Sequence, residues 1–297
     1  MIVMKLQGGL GNQMFEYAFG RALQIKLGDE LILDTSDFAY DELRNYSLEH
    51  FYLSNNMSVD SSGKYNMKYD QRCNKFLKLG VRFFPELQYS LLSRHGVYIW
   101  DYAKYKEVKL ENCNEYYFHG YWQGYDYFSD SIDVIRNEFQ VKDKIMSVNC
   151  ELLKQIQETN SVCVHIRRGD FLSSSNKLYN CRNDYYIAGM QNIEKTNSEP
   201  VYYIFSDDIT EVKDKFSFGN RRVVYVEQRN PDYEELRLMY NCKHFIIANS
   251  TFSWWAAVLS KNPNKIVIAP KVWYTDHRDV SHLLLKKWNI VDNELDG

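Results

Sequence analysis

At 297 residues, with 45% hydrophobic and 25% charged side chains, the chain has the make-up of a soluble globular protein of one large or two medium domains. Its net charge of −3 excludes a broad nucleic-acid surface, which shows as a basic excess or stripe, so any bound anion must be gripped locally. No window of about 20 apolar residues is present to cross a bilayer, and the stretch ahead of the first Gly-rich turn is too short for a signal peptide.

Ile2 to Leu6 reads as a buried strand. It runs into Gly8-Gly9-Leu10-Gly11-Asn12-Gln13, after which Met14, Phe15, Ala18, Ala22, Leu23 and Ile25 recur at helical spacing. Leu31 to Leu33 then forms a second strand ending at Asp34, a βαβ opening of an α/β domain. The Gly-rich turn lets backbone come close to a ligand at a helix start. It lacks both the Gly-Lys-Ser/Thr of a phosphate loop and the Gly-x-Gly-x-x-Gly spacing of a dinucleotide site. Asn12 and Gln13 are neutral hydrogen-bonding groups, matched to hydroxyls better than to phosphate; a purely structural turn is the alternative.

From about 54 to 112 the pattern is irregular and is expected to form helices and long loops. Glu115 to Tyr121 reads as a strand, and the segment Phe118-His119-Gly120-Tyr121-Trp122-Gln123-Gly124-Tyr125-Asp126-Tyr127 mixes aromatic rings with amide and carboxylate groups. That mixture suits a carbohydrate acceptor or, equally, interface packing. Ser131 to Phe139 reads as a helix. A polar helical segment at about 142–159 leads to a domain boundary between 158 and 159.

The second half alternates cleanly. Strands are expected at Val162 to His165, Val201 to Phe205, Val223 to Val226, Phe245 to Ala248 and Ile266 to Ile268. Helices fall near Asp184 to Glu194, Ile209 to Phe216, Asp232 to Tyr240 and Phe252 to Ser260, the pattern of a doubly wound parallel sheet. The first of these strands ends in His165-Ile166-Arg167-Arg168-Gly169-Asp170, where two guanidiniums suit a phosphate or carboxylate. Phe205-Ser206-Asp207-Asp208 closes the next strand; its carboxylates either cap a helix or accept N–H groups from a base such as guanine. Asn249-Ser250-Thr251-Phe252-Ser253-Trp254-Trp255 opens an apolar helix whose capped end is a second anion site. A pyrophosphate fits the two elements together. The six cysteines show neither zinc spacing nor a disulfide framework, and read as reduced thiols of a cytosolic protein.

The Gly-rich stretch from Gly8 to Ala18, the His165–Asp170 and Phe205–Asp208 segments and the Asn249–Trp255 segment, in this order, resemble the motifs of the bacterial α-1,2-fucosyltransferases. Departures are Glu16 where that family often has Gln, Ala256 where it often has Gly, and Tyr125-Asp126 in place of an acid followed by a basic or polar residue; the last bears on the acceptor side. The resemblance implies an α/β GT-B-like fold, two Rossmann-like lobes facing a central cleft. Residues 1–158 would form the acceptor-side domain and 159–297 the GDP-fucose-binding domain. It implies inverting transfer of L-fucose from GDP-β-L-fucose to the 2-hydroxyl of a terminal galactose in an oligosaccharide or surface glycan, with no cofactor and no metal. By the same resemblance His165, Arg167, Arg168, Asp207, Asp208, Asn249, Ser250 and Thr251 would hold the donor, with Arg167 on its β-phosphate. Asn12 would lie near the fucose and the acceptor; Gln13, Tyr121, Trp122 and Gln123 are the further acceptor candidates.

Inverting displacement also calls for a base, for which Asp170 and Asp126 are candidates, Asp170 having the alternative role of orienting the arginines. The expected partners are GDP-fucose and a galactose-terminated glycan, not nucleic acid. The expected location is the cytoplasm, with peripheral attachment to the inner face of the membrane left open. A transferase of the same fold using another nucleotide sugar, and a non-catalytic glycan- or nucleotide-binding protein, remain as alternatives.

Overall fold

Short runs of consecutive apolar residues become central strands buried on both faces, as all-parallel sheets require. The computed structural model describes residues 1–66, 84–100, 104–168 and 178–294, arranged in two compact units, Met1–Phe139 and Gln140–Gly297.

The first unit holds a parallel sheet of β1 (Ile2–Lys5), β2 (Leu31–Asp34), β3 (Met57–Asp60), β4 (Val97–Ile99) and β5 (Tyr116–His119) in the order β3-β2-β1-β5-β4. Its described helices are α1 (Leu10–Leu27), α2 (Pro85–Ser93) and α3 (Ile132–Glu138). Helix α1 stops at Gly28, whose φ of +69° gives the left-handed cap that only glycine adopts without strain. Strands β3 and β4 lie where helices and loops were expected. Edge strand β3 is half exposed, so it lacks an apolar run, and β4 has only three residues.

The second unit holds β6 (Ser161–Ile166), β7 (Val201–Ser206), β8 (Val223–Tyr225), β9 (His244–Ile246), β10 (Val267–Pro270) and β11 (Asn289–Val291), all parallel, in the order β11-β10-β9-β6-β7-β8. Counted from its own first strand this is 6-5-4-1-2-3, the order of the dinucleotide-binding fold read from the other edge. Helices α4 (Cys150–Glu158), α5 (Asn183–Glu194), α6 (Ile209–Lys215), α7 (Asp232–Tyr240) and α8 (Thr251–Leu259) accompany it. Many of the tyrosines are core residues with a satisfied hydroxyl. Tyr185 donates to the Ile247 carbonyl at 2.6 Å, and Tyr202 to Glu194 at 3.0 Å.

The divide between the units falls ahead of the expected 158/159, because residues 146–156 pack on the second unit. Buried Asn149 donates to Asn230 Oδ1 at 2.7 Å and to Glu234 Oε1 at 3.1 Å, and the Met146 N–H reaches the same carboxylate at 3.0 Å. No helix among the described residues is long and apolar enough to cross a membrane.

Both sheets have a switch point where the winding reverses, at β1 in the first unit and between β6 and β9 in the second. Ligands of open α/β sheets bind outside the carboxyl ends of strands at such points. The loop after β5 starts at Gly120, whose φ is +139°; a Cβ there would lie 2.1 Å from the Trp100 carbonyl oxygen. Gly120→Ala is therefore expected to destabilise the first unit by about 3 kcal/mol or more. A urea midpoint equal to wild type would refute this close backbone approach.

Candidate functional site

The register of β6 on β7 pairs His165 with Phe205 and Ile166 with Ser206, so the next step along both strands brings Arg167 level with Asp207. Arg167 Nε lies 3.2 Å from Asp207 Oδ2, and the Arg168 N–H donates to Asp207 Oδ1 at 2.8 Å. One carboxylate thus holds the backbone and a guanidinium of the motif together. The Arg168 side chain turns to Glu211 of α6, Nη2 donating at 2.8 Å, and its guanidinium lies 5.6 Å from the Phe216 ring centre. Hydrogen bonds from Arg168 and then Lys215 hold the Glu211 carboxyl down at about 2, so this brace stays ionised. The structure makes Arg168 a scaffold for Arg167.

His165 is buried, and burial first and the Arg167 charge second push its pKa down to about 3. The imidazole is therefore neutral across the physiological range and acts through hydrogen bonds, not charge. Its Nδ1 is buried with no partner among the described residues, and its ring lies 6.0 Å from Phe252 in the first turn of α8. That contact joins the end of β6 to the start of α8. There Ser250 caps the helix, its Oγ accepting from the Phe252 N–H at 3.3 Å, and Thr251 follows as the first helical residue.

Asp208 caps α6, one of the two roles the sequence leaves open, accepting from the Glu211 N–H at 2.9 Å, and Asp207 is engaged by both arginines. One donor-side expectation changes. Asn249 is buried, and its amide nitrogen donates to the carbonyls of Tyr179 and Trp273, both at 2.8 Å. It fastens two loops instead of facing a ligand. Trp254 and Trp255 are core residues, the Trp254 indole donating to the Leu283 carbonyl at 2.7 Å. Asp170 lies outside the described residues. Among the described residues no group of three or more His, Cys, Asp or Glu side chains could hold a metal ion, and no described cysteine is paired.

In the first unit Gly8 has a φ of +71°, and a Cβ there would come within 2.7 Å of the Asn12 amide nitrogen. The turn therefore seats Asn12, whose Oδ1 accepts from Gln123 Nε2 at 3.0 Å. Two acceptor candidates 111 residues apart are brought together. Gln13 is not available beside them. It is buried, Nε2 donating to the carbonyls of Gly8 (2.9 Å) and Asn45 (2.8 Å) while Oε1 accepts from the Ser47 N–H (3.0 Å). Trp122 is likewise no sugar platform. At a φ of +45° it is buried among Phe19, Phe118 and Tyr127, with ring centres 5.0 to 5.8 Å away. Tyr121 and Asp126 are exposed, and Glu16 is buried with Oε2 accepting from the Gln7 N–H at 2.9 Å.

Two residues without a sequence motif stand beside these sites. Arg44 lies against Gly9 in the first unit. Glu235, on α7, is within electrostatic reach of Asp207 and Arg167; burial, then the Asp207 charge, raise its carboxyl from the ordinary 4.5 to about 7, against the pull of Arg167. An amphipathic helix gives no sign of such a neighbour in the sequence. A carboxyl with a raised pKa contributes stability that is complete below its unfolded pKa and lost as the pH rises to the folded value. Glu235→Gln removes that loss. Relative to wild type, the variant should gain on the order of 1–2 kcal/mol on going from pH 4.5 to 8, allowing for partial exposure. Urea unfolding at both pH values checks it, and a constant difference would contradict the raised pKa.

Residues 85–292 match the model of glycosyl transferase family 11. The chain is 32% identical to the alpha-1,2-colitosyltransferase of Escherichia coli over 92% of either chain. It is 31% identical to the O-antigen biosynthesis glycosyltransferase WbnK of the same organism, over 95% of this chain and 98% of the relative. In three dimensions it is similar to the NodZ alpha-1,6-fucosyltransferase soaked with GDP-fucose, with a TM-score of 0.57 at 13% identity, covering 90% of this chain and 94% of that one. That likeness is one of fold, the GT-B class with its two Rossmann-like α/β units. The chain belongs to glycosyl transferase family 11 and is a glycosyltransferase related to the α-1,2-colitosyl- and fucosyltransferases.

Proposed function

We propose that the enzyme transfers L-fucose from GDP-β-L-fucose to the 2-hydroxyl of a terminal galactose, with inversion, in building an oligosaccharide or O-antigen-type glycan on the cytoplasmic side of the membrane. The observation that carries this reading is Arg167, fixed by Asp207 at the carboxyl end of β6 and joined through His165 to the capped start of α8. Both elements sit at the switch point of a dinucleotide-type sheet, where a diphosphate belongs.

In the reaction the bond from fucose C1 to the β-phosphate oxygen breaks and its electron pair leaves on GDP. C1 bonds to galactose O2, and the O2 proton passes to a base. Charge develops on the leaving diphosphate, and a guanidinium already held in place stabilises it without reorganisation. Arg167 and the N–H groups at the start of α8 supply that stabilisation in place of a metal. Neutral His165 adds a hydrogen bond. On the acceptor side the joined amides of Asn12 and Gln123 hold the sugar hydroxyls. Asp126 and Asp170 are the carboxylates proposed to take the proton.

The similarity to a colitosyltransferase favours a second donor, since colitose is fucose without its 3-hydroxyl. Mass spectrometry of the protein with lactose, EDTA and an equimolar mixture of GDP-fucose and GDP-colitose decides between them. A product heavier by one deoxyhexose supports the fucosyl reading, a 3,6-dideoxyhexose product the other. GDP release without product would overturn the acceptor assignment, and neither product nor GDP the whole reading. Arg167→Ala should lower transfer roughly a hundred- to thousandfold, the usual effect of removing one transition-state donor. It should leave the unfolding midpoint near wild type; activity within about tenfold would remove Arg167 from this role.

A further inference from the structure

Three loops of the first unit meet at the carboxyl end of its sheet, and only those after β1 and β5 carry motifs. The third, residues 35–47 after β2, is fastened just as firmly. The Gln13 amide holds it at the Asn45 carbonyl and the Ser47 N–H, and Asp41 Oδ1 accepts from the N–H groups of Leu43 (2.9 Å) and Arg44 (3.0 Å). This course lays the Arg44 guanidinium on Gly9, where an added Cβ would lie 3.7 Å from Nη1 and 3.9 Å from Cζ. Gly9 adjoins Gly8, which seats Asn12, and Asn12 is bonded to Gln123. Strands β2 and β5 flank β1, so Arg44 and Gln123 approach one turn from its two sides. Tyr40 and Leu43 of the same loop are 90% and 85% exposed.

Resting on the fucosyl-transfer reading above, we infer that Arg44 and Tyr40 form a second acceptor subsite, which holds the neutral sugar unit joined to the reacting galactose. A guanidinium fork donates to paired oxygens, such as neighbouring hydroxyls or an acetamido carbonyl with a hydroxyl. An exposed tyrosine ring offers its apolar face to the C–H face of a pyranose. Asp41 and Glu42 beside Arg44 place negative charge in the loop, which disfavours an acidic sugar and favours a neutral one. The loop is anchored through Gln13, so Arg44 is presented already in place and little ordering is needed on binding.

The test compares kcat/KM for lactose and for methyl β-galactoside, a disaccharide against its terminal sugar alone, with GDP-fucose as donor. Wild type should prefer lactose. Arg44→Ala should reduce that preference about tenfold, the effect of losing hydrogen bonds from a charged donor. Arg44→Lys, which keeps the charge but not the fork, should fail to restore it. Tyr40→Ala, at a side chain too exposed to affect folding, should reduce the preference about threefold. A parallel loss on both acceptors would make Arg44 a structural brace and overturn the subsite. So would an unchanged ratio, or a wild type with no preference. Transfer to neither acceptor by wild type would overturn the proposed function itself, an outcome distinct from any of these.

Discussion

The candidate site of the second unit depends on one carboxylate. Asp207 accepts the Arg168 N–H and pairs with Arg167 Nε, so the backbone and a side chain of one dipeptide are fixed by one group on the neighbouring strand. Two adjacent guanidiniums at a strand end repel each other and need counter-charges to be held in a single geometry. Strand register supplies the first at no extra cost in chain ordering, because Ile166 and Ser206 are already paired and their successors are adjacent. Glu211 supplies the second by binding Arg168 on the far side of the turn. The division leaves Arg167 as the cation at the site and Arg168 as the cation that positions it.

The central strands were legible in sequence because burial on both faces requires continuous apolar runs, and β1, β2, β6, β7, β9 and β10 all carry them. The edges were not. β3 and β11 are partly exposed, and their sequences, Met-Ser-Val-Asp and Asn-Ile-Val, carry no such run. Among the site residues the same distinction applies at the level of single atoms. Gln13, Asn249 and Trp122 belong to motifs that suggest ligand contact, yet each is buried, the two amides on backbone partners and the indole on aromatic rings. An amide that joins two loops and an amide that binds a sugar are the same letter in a sequence. Only the carbonyl opposite distinguishes them. Arg44 and Glu235 show the converse, since their neighbours lie on other elements and no local pattern marks them.

Both sites lie at the switch point of a parallel sheet, with opposite chemistry. In the second unit the switch point gathers Arg167, Arg168, Asp207, Glu211 and Glu235, a set of charges that offset one another. In the first the turn brings together the neutral amides of Asn12 and Gln123. On the proposed reaction this follows from what each must do. A leaving diphosphate gains charge in the transition state and is served by a fixed cation; a hydroxyl acceptor is neutral and is served by groups that donate and accept without charge.

The neutrality of His165 belongs to the same logic. A protonated imidazole one residue from Arg167 would add a third positive charge to a strand end that Asp207 and Glu211 already balance against two. Burial removes that charge, holding the pKa near 3, so the imidazole adds no charge from mildly acidic to neutral pH. Glu235 acts in the other sense. Protonated below about 7, it leaves Asp207 as the charged carboxylate paired with Arg167; ionised above that, it adds a second negative charge acting on the same guanidinium. The field at Arg167 is therefore set by one group that burial keeps neutral at every working pH and by one whose charge changes within it. Any pH dependence of donor binding arising here should follow the carboxyl and not the imidazole.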